Sequence, residues 1–352
     1  MAAACSFTGG PAMTKSETSI EIRALYKIFG SNPKAYVQAV KGGMSKAELG
    51  ERHQHILGLN DINISMPAGK IQVIMGLSGS GKSTLIRHIN RLIEPTAGSI
   101  TIGGRDVLAM SPAELQEFRR SGTAMVFQRF ALLPHRTVID NVTFGLEVRG
   151  IDQATSRDTG MRWIERVGLK GFETRYPTEL SGGMQQRVGL ARALSNDTSI
   201  LLMDEAYSAL DPLIRTDMQA MLLDLQKELG KTIVFITHDL DEALRLGDGI
   251  VILRDGSIVQ QGTGQDILLH PADDYIQRFV KDVNRGRYIK ADSLMEPLSG
   301  ATNSALPRLP SGMVLEDAIK RLSDAGSSEA VLTDQADKPL GMITLRRVME
   351  AL

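Results

Sequence analysis

Cysteine is almost missing: Cys5 is the only one in 352 residues. A lone thiol cannot close a disulfide within the chain, which excludes a disulfide scaffold and fits a reducing compartment. Neither sign of charge is in excess, with Lys+Arg 40 against Asp+Glu 41 and a net charge of -1. No general basic field exists to hold a polyanion, so nucleic acid is not an expected partner. No window approaches ~18 consecutive apolar residues, the length a membrane helix needs. The start MAAACSFTGGPAMTKSETS also lacks a basic segment followed by an apolar run, so no export leader is expected, and Met13 is an alternative start to Met1. What is present is ordinary for a folded protein, 42% hydrophobic and 23% charged, except for glycine. The 34 Gly make up about a tenth of the chain, against roughly 7% in typical domains.

Residues 1–18 read as a disordered tail. Ser19 to Phe29 is strand-like, and the turn-rich, polar stretch from Gly30 to Leu59 reads as an insertion. The apolar run Ile71 to Met75 ends abruptly in a Gly/Ser loop that opens a helix over Lys82 to Leu92. The runs Ile200 to Met203 and Ile233 to Ile236 are short, β-branched and followed by helix signals, as strands of a mostly parallel sheet are. Strand signals stop between about 129 and 195, where amphipathic helices form a helical subdomain. A hairpin is expected around Asp255-Gly256. Residues 284–310, rich in Ser and Pro, read as a linker, and 311–352 as a small separate unit. The fold class is α/β, with the main domain over 19–283.

Three patterns carry chemistry. Gly76-Leu77-Ser78-Gly79-Ser80-Gly81-Lys82-Ser83-Thr84 fits G-x-x-x-x-G-K-[ST] and stands between a buried strand and a helix, where that motif belongs. Its glycines let backbone N–H groups turn inward on phosphate oxygens. The helix start adds a positive dipole end, and Lys82 reaches the β- and γ-phosphates while Ser83 ligates Mg2+. Ile200-Leu-Leu-Met-Asp204-Glu205 is an apolar strand delivering two acids at its C-terminal end, the ligand edge of open α/β sheets. Asp204 would hold Mg2+ through water, and Glu205 would orient and polarise an attacking water. Leu180-Ser181-Gly182-Gly183-Met184-Gln185 is a second glycine-rich helix start, which a single phosphate site does not need.

Phosphate loop, LSGGMQ, LLMDE and then His238 after a strand, in this order, resemble the motifs of an ATP-binding-cassette ATPase, a P-loop NTPase, over Ile20 to about Val283. The resemblance implies ATP and Mg2+ as cofactors and a head-to-tail homodimer, in which Ser181, Gly182, Gly183 and Gln185 of one subunit close over ATP held by the other. It also implies that Gln128 senses Mg2+ and water, that His238 contacts the γ-phosphate, and that the Ser208 to Asp211 loop joins the two sites. The adenine would stack on Phe29 or on Tyr26. Phe130, Leu132, Leu133, Pro134 and His135 would receive a cytoplasmic helix of a permease.

The insertion before the first hairpin, with IMGLSGSGKSTLIRHINRLIEPTAG and EAYSALDPLIRTDMQ, resembles ATPase subunits of bacterial importers of glycine betaine, proline betaine and choline. That resemblance implies membrane permease subunits as partners, a periplasmic or lipid-anchored substrate-binding protein as an indirect one, and a peripheral place on the cytoplasmic face of the inner membrane. The family usually has Phe where Tyr207 stands. The last residues resemble one cystathionine-β-synthase-type (CBS) repeat, with Arg347 where such repeats commonly have a ribose-binding Asp. A soluble DNA-maintenance cassette would need a long coiled coil between Lys82 and Ser181, a translation cassette two motif sets, and a P-loop GTPase an N-K-x-D motif. None is found.

Overall fold

The computed structural model describes residues 18–128, 130–298 and 306–352. Cys5, Met13, nearly all of the expected tail, Arg129 and the middle of the expected linker lie outside them. The chain divides into two units: residues up to Asp239 with Val251–Val259, and Leu240–Ile250 with Gln260–Leu352.

In the first unit, β1 (Ile20–Phe29) is followed by the short helices α1 (Val37–Lys41) and α2 (Lys46–His53) and then by β2 (Ile56–Met66). β1 and β2 pair antiparallel, Ile20 opposite Met66 and Phe29 opposite Ile56. The helices between them are the expected insertion, and they close on a cluster of their own: Tyr26, Ile28, Val37, Val40, Leu49 and Leu57. His55 pins this insertion, its Nδ1 2.6 Å from the His53 carbonyl and its Nε2 2.6 Å from that of Ser31.

Next come β3 (Ile71–Met75) and α3 (Lys82–Ile89). The helix ends three residues short of the expected Leu92 because Asn90 caps it and Arg91 turns to φ +54°. β4 (Ala97–Ile102) and β5 (Arg105–Asp106) complete a sheet of order β2-β1-β4-β5. α4 (Pro112–Glu117) leads to β6 (Thr123–Val126), and the helical subdomain follows as α5 (Val138–Val148), α6 (Gln153–Arg166) and α7 (Gly182–Ser195). These helices bury their own apolar faces, Val138, Ile139, Val142, Ile164, Val188 and Ala191 among them.

β7 (Ile200–Asp204), α8 (Pro212–Leu229) and β8 (Thr232–Thr237) return the chain to the α/β core. After α9 (Leu240–Leu246), β9 (Gly249–Arg254) and β10 (Ser257–Gly262) form the hairpin, Asp255 and Gly256 both at positive φ as a two-residue turn demands. The second sheet has the order β10-β9-β3-β8-β7-β6, with β3, β8, β7 and β6 parallel. Every residue of β3, β7 and β8 is buried, which explains their unbroken apolar runs. One core joins both sheets to α3, through Ile22, Ile64, Leu85, Ile86, Leu202 and Val234. Because the four parallel strands run the same way, their C-terminal ends deliver four loops to one edge.

The second unit holds α10 (Gly264–Leu269), α11 (Asp274–Val280), β11 (Arg308–Pro310), α12 (Leu315–Asp324), β12 (Glu329–Thr333), β13 (Pro339–Thr344) and α13 (Leu345–Ala351). Helix, strand, turn, strand and helix occur in the expected order over 315–351. The boundaries differ from expectation. Within the expected linker, residues 284–298 and 306–310 are not a plain connection: Ile289, Ala291 and Leu309 are fully buried, and β11 runs parallel to β12. The polar composition of the stretch conceals these few apolar anchors. Arg347 pairs with Glu296 at 2.7 Å, so its side chain is engaged by an acid of the same unit.

Candidate phosphate and water site

β3 ends at Met75 and the chain turns through Gly76, whose φ of +147° and 2.2 Å approach of a built Cβ to the Leu253 carbonyl leave room for glycine alone. Gly81 is similarly constrained at φ +103°, facing the Gly58 carbonyl. Between them Ser78 and Gly79 are exposed at the loop tip, and Ser80 is buried with its Oγ unpartnered. Lys82 opens α3 and is 4% exposed. Its ammonium donates to the carbonyls of Gly76 at 2.8 Å and Leu77 at 3.1 Å, and stands 3.5 Å from Glu205 Oε1. Thr84 follows on the first turn, half-buried. The loop is therefore a cradle closed by a buried cation, with N–H groups of a helix start at its rim.

β7 brings Asp204 and Glu205 to the same edge. Ser83 Oγ donates to Asp204 Oδ1 at 2.8 Å, and Arg87, one turn along α3, holds Oδ2 at 3.2 Å. Arg87 was not singled out from the sequence, though its position four residues beyond Ser83 puts both on one helix face. One hydroxyl and one carboxylate suit Mg2+, which takes a few protein oxygens and completes its shell with phosphate and water. Among the described residues no group of three or more His, Cys, Asp and Glu is gathered for a metal.

Glu205 sits in the left-handed region at φ +47°, a strained conformation for a residue with a Cβ. Its Oε2 accepts from Gln128 Nε2 at 3.1 Å and lies 3.7 Å from His238 Nδ1. Gln128, beyond β6, also reaches Ser208 Oγ at 3.4 Å. The structure thus brings Lys82, Ser83, Gln128, Asp204, Glu205 and His238 to one place.

Ser181, Gly182, Gly183 and Gln185 belong to another surface, the start of the fourteen-residue α7. Ser181 caps that helix by accepting from Met184 N at 3.3 Å and is exposed, as is Gly182. Gln185 turns its amide back onto the carbonyls of Pro177 at 3.0 Å and Leu180 at 3.2 Å. Asp211 likewise caps α8 by accepting from Ile214 N at 3.1 Å. In this chain both side chains shape their own loops. The adenine alternatives separate: Tyr26 is 6% exposed within the insertion cluster, whereas Phe29 is 38% exposed with Lys27 Nζ 4.9 Å from its ring centre. Tyr207 is fully buried 5.5 Å from Phe235, and its hydroxyl donates to the Met218 carbonyl at 3.4 Å.

Comparison with known proteins decides the family. The ABC transporter family model matches residues 59–208, spanning the phosphate loop, the second glycine-rich helix start and the acidic strand end. A glycine betaine transport ATP-binding protein of Bacillus subtilis is 48% identical over 324 residues, 92% of this chain and 76% of that protein. The chain is an ATP-binding-cassette ATPase. The cassette is also 42% identical, over 96% of its own length and 98% of the relative's, to a trimethylamine N-oxide transport system ATP-binding protein of Pelagibacter ubique. Among solved structures it resembles the cassette MJ0796 in a dimeric post-hydrolysis state bound to ADP and phosphate. That match has a TM-score of 0.60 and 30% identity, and covers 70% of this chain and 98% of that one. The family binds and hydrolyses ATP, and no described helix of this cassette is long and apolar enough to cross a membrane.

Proposed function

We propose that this cassette energises uptake of a methylated-amine osmolyte, glycine betaine first, through a membrane permease. The observation that carries the mechanism is the convergence of Glu205, Gln128 and His238 beside the buried Lys82, with Ser181 and Gly182 exposed and Gly183 half-buried on a separate helix start. ATP seats its β- and γ-phosphates in the loop from Gly76 to Thr84, where they take over the ammonium of Lys82 from the carbonyls it now holds. Phe29 stacks on the adenine. Ser83, Asp204 and Gln128 would hold Mg2+, which when bound would neutralise triphosphate charge.

Glu205 accepts a proton from the attacking water, Gln128 orients that water, and His238 donates to the γ-phosphate. Ser181 and the N–H groups of Gly182 and Gly183 complete the γ-phosphate's shell from a second copy, the partner surface kept in shape by Gln185 and Asp211. Closure then depends on an intact triphosphate, and cleavage reopens the pair. The permease docks on the exposed Pro134 and His135 and the half-buried Leu133, while Leu132 serves the helical core. A substrate-binding protein delivers the cargo outside the membrane, and the cassette works peripherally on the cytoplasmic face. The 315–351 unit is a single CBS-like repeat; with Arg347 engaged by Glu296 it serves structure rather than adenosine binding.

Glycine betaine is favoured by the Bacillus subtilis relative's identity. A second cargo, trimethylamine N-oxide, is favoured by the like length of the Pelagibacter ubique relative. Gel filtration with light scattering tests the mechanism: with Mg-ATP, Glu205→Gln accumulates as a dimer and hydrolyses about a hundredfold slower or worse, and Lys82→Ala stays monomeric. Monomers from both variants, with or without permease, would contradict it. Uptake of labelled glycine betaine challenged by each unlabelled compound separates the cargoes.

A further inference from the structure

Immediately after Gln128 and Arg129 the backbone does something unusual. Phe130 and Ala131 both lie in the left-handed region, at φ +54° and +49°. A single residue with a Cβ is disfavoured there, two in succession more so, and neither position is glycine. Something outside the loop must hold the kink.

The restraint comes from α7. Arg192 Nη1 donates to the Ala131 carbonyl at 2.7 Å and Nη2 to the Phe130 carbonyl at 3.1 Å. The planar fork of a guanidinium matches two successive carbonyls, which a lysine's single ammonium cannot grip in the same way. The same helix also receives the Phe130 side chain: a Cβ built on Gly182 would stand 3.7 Å from Phe130 Cζ, and one on Gly189 3.7 Å from the Phe130 carbonyl. Phe130 therefore runs along α7 from the exposed Gly182 at its start to Arg192 near its end. Two residues upstream, Gln128 bonds Glu205.

We infer that Arg192 is a positioning residue that clamps the Phe130–Ala131 kink to α7, so that the placing of Gln128 against Glu205 follows the helix whose start engages the second nucleotide. Movement of α7 as it meets the partner's triphosphate is then transmitted to the water site of its own subunit. The inference rests on the roles proposed for Gln128 and Glu205.

The test is a double-mutant cycle in the full-length chain, with hydrolysis of labelled ATP and ATP affinity measured for Gln128→Ala, Arg192→Met, both together, and Arg192→Met with Ala131→Gly. The expected result is that Arg192→Met lowers kcat about tenfold while ATP affinity stays within about twofold. In the Gln128→Ala background the same change adds nothing beyond about twofold, because the two act through one contact. Ala131→Gly restores about threefold or more to Arg192→Met, since glycine enters the left-handed region without a clamp. A purely structural Arg192 would show neither the lost additivity nor the rescue. Additive losses, or a wild-type kcat in Arg192→Met, would overturn the inference alone. A wild-type kcat in Gln128→Ala would overturn the proposed water site and the inference with it. If Arg192→Met also loses ATP binding, Arg192→Lys replaces it in the cycle, and failure of Ala131→Gly to speed that variant overturns the clamp.

Discussion

His88 shows how a side chain can serve the site's scaffold without entering the chemistry. It lies on α3, fully buried, with Nδ1 2.6 Å from the Thr84 carbonyl and Nε2 without a partner. Burial pushes its pKa down to about 4; the Thr84 carbonyl and Glu94 oppose the shift, and Lys27 adds to it. The unfolded chain's imidazole titrates near its ordinary value of about 6.5. As pH falls the unfolded state therefore takes the proton first, so this group leaves stability flat above pH 6.5 and erodes it between 6.5 and 4. Wild type should lose about 2 kcal/mol more than His88→Gln between pH 7 and pH 5, read from denaturant midpoints. Parallel losses would contradict this. At this scale the sequence was uneven as a guide. Lys82, Ser83, Asp204 and Glu205 were legible because each stands at a fixed offset from a strand end or glycine. Arg87 and Arg192 were not, since an arginine inside a helix reads as a solvated face until its partners are placed.

Among the elements, the segment between β6 and α5 depends on one buried amide. Asn141 accepts from Leu133 N at 2.8 Å and donates to the carbonyls of Leu133, Arg136 and Thr137 at 3.1, 3.0 and 3.0 Å. A loop without regular hydrogen bonds needs such a hub to satisfy its buried polar groups. Asn141→Ala should cost about 2–3 kcal/mol by orphaning them, and should weaken permease assembly while leaving ATP affinity within about twofold. Unchanged pull-down of the permease by this variant would show that the loop's shape is not what the permease reads. Elements were legible wherever burial imposes one period, β3, β7 and β8 as apolar runs and α5 and α6 as amphipathic helices, while α7 was legible from its glycine-rich start. The structured parts, 284–298 and 306–310, were missed because their order rests on a few anchors, Ile289, Ala291 and Leu309, set among turn residues.

On the scale of the whole molecule, the division of labour is built into topology. Parallel strands deliver Lys82, Gln128, Glu205 and His238 to one edge, and the helical subdomain presents a second glycine-rich helix start, at Ser181, away from them. Under the proposed function a cassette organised in this way is incomplete as a single copy, and its ATP cycle becomes work only through a partner. The most direct measurement is uptake of labelled glycine betaine at low and high osmolarity, in cells lacking this gene and other betaine uptake systems, complemented with wild type or Glu205→Gln. The account predicts that wild type restores uptake and Glu205→Gln does not, although both are expressed and bind ATP. Equal uptake in the two complemented strains would contradict the claim that hydrolysis at Glu205 drives import.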